Sequence, residues 1–135
     1  MSLTAIRAAL ETRLNAMAPA VAIAWENRPF QVPAPTVPYQ QVNILFATPE
    51  NPETGAGYRE LGIFQVSLLY PLGDGANAAG VRATAIRTQF PKNLALTSGG
   101  VVVTISKTPS IGGGAVDGDR WRLPIKISFF SNQFG

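Results

Sequence analysis

Leu3, Ile6, Leu10, Leu14 and Met17 recur at spacings of three and four while Arg7, Glu11 and Arg13 fall elsewhere, which predicts an amphipathic helix. Ser2 can cap its start and Pro19 marks its end. A stripe of this kind covers a core far more often than it meets a membrane or a partner. Val21, Ile23 and Trp25 then alternate with alanines, a short strand that Asn27, Arg28 and Pro29 interrupt. Pro29, Pro33, Pro35 and Pro38 follow closely, removing amide donors and favouring an extended connector laid on the body of the protein.

Tyr39 to Ala47 reads as a second strand with Val42, Ile44 and Phe46 on one face. Thr48 to Glu60 is rich in Pro, Gly and Glu and long for a connection, so it is either an interaction loop or a mobile hairpin tip. In Leu61 to Tyr70, Phe64, Val66, Leu68 and Tyr70 point one way and Ile63, Gln65, Ser67 and Leu69 the other. Both faces are partly apolar, which predicts a central strand with a helix on one side and something else, such as a neighbouring subunit, on the other.

A second helix is predicted from about Ala76 to Phe90, with Ala79, Ala83, Ile86 and Phe90 inward and Arg82 and Arg87 outward. After Pro91 and a polar loop come strands over Val101 to Lys107 and Arg120 to Phe130. In the last, Trp121, Leu123, Ile125, Ile127 and Phe129 share a face, and Pro124, which cannot donate to a ladder, predicts an edge position or a bulge. Thr108 to Asp119 between them reads as a flexible link, and no repeat is present. The expectation is an α+β fold in a single domain over 1–135, a mostly antiparallel sheet of four to five strands with two helices packed on one face.

Composition adds a bias toward assembly. Of the 135 residues 46% are hydrophobic and only 14% charged, against about 25% charged in an ordinary soluble domain. Few charges keep copies apart, so self-association is expected, with a polar-covered monomer as the alternative. The net charge is +3, but the cations are scattered along the chain and form no stripe, which weakens a dedicated DNA-binding role. No stretch approaches the ~20 apolar residues of a membrane span, and no basic segment precedes an apolar one at the start, so a soluble chain without a membrane partner or an address is expected.

Candidate chemistry is sparse. With no Cys and no His, thiol nucleophiles, disulfides, thiolate or imidazole metal sites and the imidazole base are excluded by inventory. Ser and Thr nucleophiles would need one of Lys92, Lys107 or Lys126 as base, and none stands in a recognisable motif. Gly112 to Gly114 and the Gly99-Gly100 pair lack the Lys, Ser/Thr and helix that a phosphate loop requires and read as turns. Glu50 with Glu53, and Asp117 with Asp119, lack the fixed opposition of a hydrolytic pair and the ligand number of a Ca²⁺ loop. They read as solvated loop charges, and neither an enzyme nor a cofactor is expected.

Three segments carry a resemblance: AIAWENRPF with the following PYQQVNILFATPENP, then YRELGIFQVSLLYPLGDG, then VVVTISKTPSI with DGDRWRLPIKISFF. In this order, over nearly the whole chain, they resemble the tail terminator-like proteins of phages and prophages. The most specific pieces are Trp25-Glu26-Asn27, Pro38-Tyr39, Gly62 to Val66 and Asp117 to Trp121. The resemblance implies a structural α+β subunit that closes into a ring, usually of six, at the head-proximal end of the virion tail. There it would stop tube growth and offer a surface to head-completion or connector proteins. Its partners would be copies of itself, the tail tube protein and those head proteins, with nucleic acid only as DNA passing through, and assembly would take place in the bacterial cytoplasm. No catalytic residues belong to that role, and the motif residues can serve the fold alone, with Trp25 and Trp121 as core aromatics and Gly62 marking a bulge.

A ring needs a heterologous interface, one face of each subunit against a different face of the next. The loops Thr48 to Glu60 and Thr108 to Arg120 are the expected intersubunit or tube-facing surface, with Glu50, Glu53, Arg59, Asp117 and Arg120 as charge partners. The rival readings are another neck or tail component, such as a head-tail joining protein or a tube subunit, and then a DNA-binding accessory protein.

Overall fold

The computed structural model describes residues 2–51 and 57–133. Helix α1 (Ser2–Asn15) leads to strand β1 (Ala22–Ala24), and beyond the proline-rich crossing lie β2 (Tyr39–Phe46) and β3 (Tyr58–Pro71). Helix α2 (Asn77–Gln89) is followed by β4 (Ala95–Ser98), β5 (Val101–Ile105), β6 (Ser110–Ile111), β7 (Ala115–Asp117) and β8 (Arg120–Gln133). The capping role read for the Ser2 side chain lies outside the described residues.

The strands form one sheet in the order β1-β2-β3-β8-β5-β4, with β6 and β7 also paired to β8. β1 runs parallel to β2, and the other pairs are antiparallel. The class is α+β, as expected, but the expected four to five strands are too few and the sheet is mixed. The additional strands β4, β6 and β7 span four, two and three residues, too short for an alternating pattern to stand out. For the same reason the stretch read as a flexible link is instead pinned along β8 by β6 and β7.

β3 and β8 form the spine. Their 14 residues each pair without interruption from Tyr58 with Gln133 to Pro71 with Arg120, a ribbon about 46 Å long. Pleating sends Phe64, Val66, Leu68, Leu123, Ile125, Ile127 and Phe129 to one face, all buried. Val42 and Ile44 of β2 and Val103 and Ile105 of β5 join them, and Ile6, Leu10 and Leu14 of α1 and Ala79, Ala83 and Ile86 of α2 close the same core. Each large side chain so buried stabilises the fold by about 1.5–3 kcal/mol relative to exposure. Trp25 and Trp121 pack against this cluster from its margin, half-buried.

Two local expectations are corrected, and of the edge or bulge expected at Pro124 it is the bulge that is found. Arg82 does not face outward: it is 5% exposed, its Nε donating to Gln40 Oε1 at 3.1 Å and its Nη1 to Pro19 O at 2.7 Å. An i, i+3, i+4 pattern places a residue on a helix flank but cannot reveal acceptors that distant segments bring to it. Gly62 marks no bulge, because it pairs in register with both Phe46 and Phe129. Pro124 lies in a central strand, opposite Ser67 of β3. Its carbonyl accepts from Gly112 N–H at 2.9 Å, so its missing donor also points toward the β6–β7 side. There Gly113 and Gly114 bulge between the paired residues of β6 and β7, the local defect that proline calls for.

Candidate functional site

The charges singled out in the sequence separate to the two ends of the β3–β8 ribbon. At one end Glu50 and Arg59 form an isolated antiparallel bridge, with backbone hydrogen bonds of 2.9 and 2.6 Å. The Arg59 guanidinium donates from Nε to Asn132 Oδ1 at 3.0 Å and lies 4.9 Å from the centre of the Phe130 ring. Glu53 lies outside the described residues. At the other end Asp117 faces Arg120 across β7 and β8, and its Oδ2 accepts from Arg122 Nε at 2.6 Å. The two ends are about 40 Å apart along the strands.

Arg120 is 2% exposed and binds the proline-rich crossing. Its Nη2 donates to Pro33 O at 2.8 Å and Ala34 O at 2.9 Å, and its Nη1 donates to Val37 O and, at 3.5 Å, to Leu69 O. The guanidinium also lies 4.9 Å from the centre of the Tyr39 ring, and the Asp119 carboxylate approaches its Nε at 3.9 Å. A segment built on prolines has carbonyls without matching amides, and a planar group with five donors is suited to collect them. One buried cation thereby fastens the crossing over the end of the helix-free face.

Two further polar contacts escaped the sequence reading. Glu26 Oε1 accepts the backbone N–H of Ile44 at 3.1 Å and is held by Arg7 Nη1 at 2.9 Å. This carboxylate stands where a carbonyl of another strand would accept, because β1 covers β2 only from Tyr39 to Gln41. In β3, burial pushes Tyr70 above the ordinary tyrosine value, with the Arg82 cation of α2 working in the opposite direction. Burial likewise lowers Arg82, and Tyr70 partly offsets that shift. Neither contact carries a sequence signal, since the partners lie on different elements.

Part of the sheet's outline is left without a strand, with the Glu26 carboxylate bonded at Ile44. Among the described residues, Val42–Phe46 of β2 has no strand on its outer side, and β4 pairs only with β5. Neither stretch contains a charge or a proline, the usual protections of an exposed edge. Leu45 and Phe46 are exposed at the β2 edge. Beside β4 a groove of roughly 370 Å³ runs along α1, lined by Ala8, Thr12, Ala16, Leu96 and Ser98 among others. Among the described residues no group of three or more acidic side chains could hold a metal ion, and no helix is long and apolar enough to cross a membrane.

This arrangement is a scaffold with surfaces, and known proteins share it. A solved structure that bears no functional name is similar to the whole chain, with 32% sequence identity, a TM-score of 0.78, and coverage of 100% of this chain and 98% of the other. No curated protein matches. The family described as phage tail terminator protein, a family of virion structural proteins, matches residues 5–129. The chain therefore belongs to the phage tail terminator family.

Proposed function

We propose that this chain, as a single domain, closes with copies of itself into a ring, of six by the family resemblance, on the head-proximal end of a phage tail tube. There it stops tube growth and presents a surface to the head-completion or connector protein. Membership of the tail terminator family carries the reading. The geometry supports it in one respect: a capping ring needs two dissimilar faces, and the ribbon holds Glu50 and Arg59 at one end and Asp117 and Arg120 at the other. On this reading Glu50, Glu53 and Arg59 serve one face and Asp117 the other. Arg120 contributes by fixing the crossing beside Asp117.

Tail tube protein polymerising in the presence of this chain provides the test. The expected result is tubes of limited length bearing extra density at one end. Tubes that lengthen by taking up the chain along their whole length would identify a tube subunit instead. Tubes of unchanged length without end density would remove the capping role.

A further inference from the structure

Rings of identical subunits can be joined through loops, side-chain faces or strand edges, and here the edges fit one another in direction, register and shape. From β2 to β4 the path β2-β3-β8-β5-β4 is antiparallel at every step. An odd number of strands in alternating directions leaves the two terminal strands pointing the same way. A copy related to its neighbour by rotation about an axis to which the strands are tilted can therefore set its β2 edge against the neighbour's β4, in parallel, as β1 already lies on β2.

The hydrogen-bonding groups agree with that pairing. Ala47 N–H bonds toward β3 and Ile44 N–H bonds outward to Glu26, so alternation leaves Val42, Ile44 and Phe46 with backbone groups on the outer edge. On β4, the carbonyl of Leu94 accepts from Ile105, so Leu96 and Ser98 also bond inward while Ala95 and Thr97 present theirs outward. In a parallel pair with Thr97 opposite Leu45, the N–H of Ile44 meets the carbonyl of Ala95. That is the donor which the Glu26 carboxylate occupies in the single chain. The strand would replace a side-chain placeholder and would not disrupt any pairing within the sheet.

Side chains agree as well. Phe46 points to the helix face and is 37% exposed. On the neighbour, the position opposite is Ser98, beside the groove that Ala8, Thr12 and Leu96 line between α1 and β4. A ring protrudes at one edge, and at the other lies a hollow whose α1 side carries Ala8, Ala9, Thr12 and Ala16 together with Arg13. Within one copy, Phe46 is level with Leu94 through Gly62, Phe129 and Ile105. Pairing Thr97 with Leu45 thus staggers successive copies along the strands, as closed sheets require.

We propose that Asn43–Phe46 of one copy pairs in parallel with Ala95–Ser98 of the next, Phe46 filling the groove beside α1, so that one continuous sheet runs round the assembly. This inference rests on the ring reading above. The chain has no cysteine, so Leu45→Cys with Thr97→Cys places one thiol on each edge, both on the helix-free face. Treated with a short bis-maleimide on tail tube ends, this variant is expected to give a ladder of covalent multimers ending at one size, and neither single substitution gives the ladder. Thr97→Pro removes an outward donor without touching the β4–β5 bonds. It is expected to keep its thermal midpoint within a few degrees and to lose ring formation. End rings without a ladder, or Thr97→Pro forming rings as readily as the native chain, would overturn the edge pairing while leaving the ring intact. Absence of both rings and length control would overturn the two together.

Discussion

A methyl group built on Gly62 would stand 2.8 Å from Cζ of Phe129 and 2.6 Å from the carbonyl oxygen of Leu45. The pair sits in the middle of the sheet, where Phe129 is 1% exposed and meets Phe46 edge-on at 6.0 Å between ring centres. Neither the backbone oxygen nor the enclosed ring can retreat. Gly62→Ala is therefore expected to lower stability by about 1–3 kcal/mol through overpacking. Urea unfolding would measure this as a lower midpoint at unchanged slope.

Gly114 offers a contrast. A methyl there would run into the indole of Trp121, but Trp121 is only half-buried and can swing outward. Gly114→Ala is expected to cost less than Gly62→Ala and to shift the emission of one of the two tryptophans toward longer wavelength. Fluorescence of the folded variant, with Trp25 as internal reference, checks this.

Removal of the Arg120 side chain leaves the carbonyls of Pro33, Ala34 and Val37 without their donor. Arg120→Ala is expected to destabilise by about 2–4 kcal/mol, several hydrogen bonds to a charged group being lost together. Arg120→Lys keeps the charge but not the planar fork and should recover only part of the loss. Limited proteolysis between Gln31 and Tyr39 should be faster in both variants, and fastest in Arg120→Ala.

Alkali should reveal the environment of Tyr70. Its folded value lies above the ordinary 10.0, chiefly through desolvation. The native state therefore holds the phenolic proton more tightly than the unfolded chain does. That preference is fully present below pH 10 and is lost as pH climbs through the raised folded value. Stability of the native chain is expected to fall over this range and that of Tyr70→Phe to fall less. In the phenolate absorbance, the step that Tyr70→Phe removes should lie above pH 10.

Much of the layout was legible in the chain. The stripe of α1, the buried row of Phe64, Val66 and Leu68, and the matching row of Leu123, Ile125 and Ile127 are periodic over enough residues to declare both element and face. β4, β6 and β7 are not, because two to four residues show no period. Their place is dictated by the free sides of β5 and β8, which no local pattern encodes. Arg120 reads as a surface charge in a polar loop, since its acceptors lie some 86 residues earlier. Arg82 is similar: its acceptor Gln40 lies 42 residues away. The edge surfaces have a faint signature at best, an absence of charge over Val42–Phe46 and Ala95–Ser98.

The position of β8 has a bearing on timing. It follows every other described strand along the chain, yet it lies between β3 and β5 and joins them. Until it arrives, the β2–β3 hairpin and the β4–β5 hairpin have no common sheet. The two outer portions of the sheet thus acquire a fixed relation only once β8 has been made and has docked between them, a long-range pairing that comes late in folding.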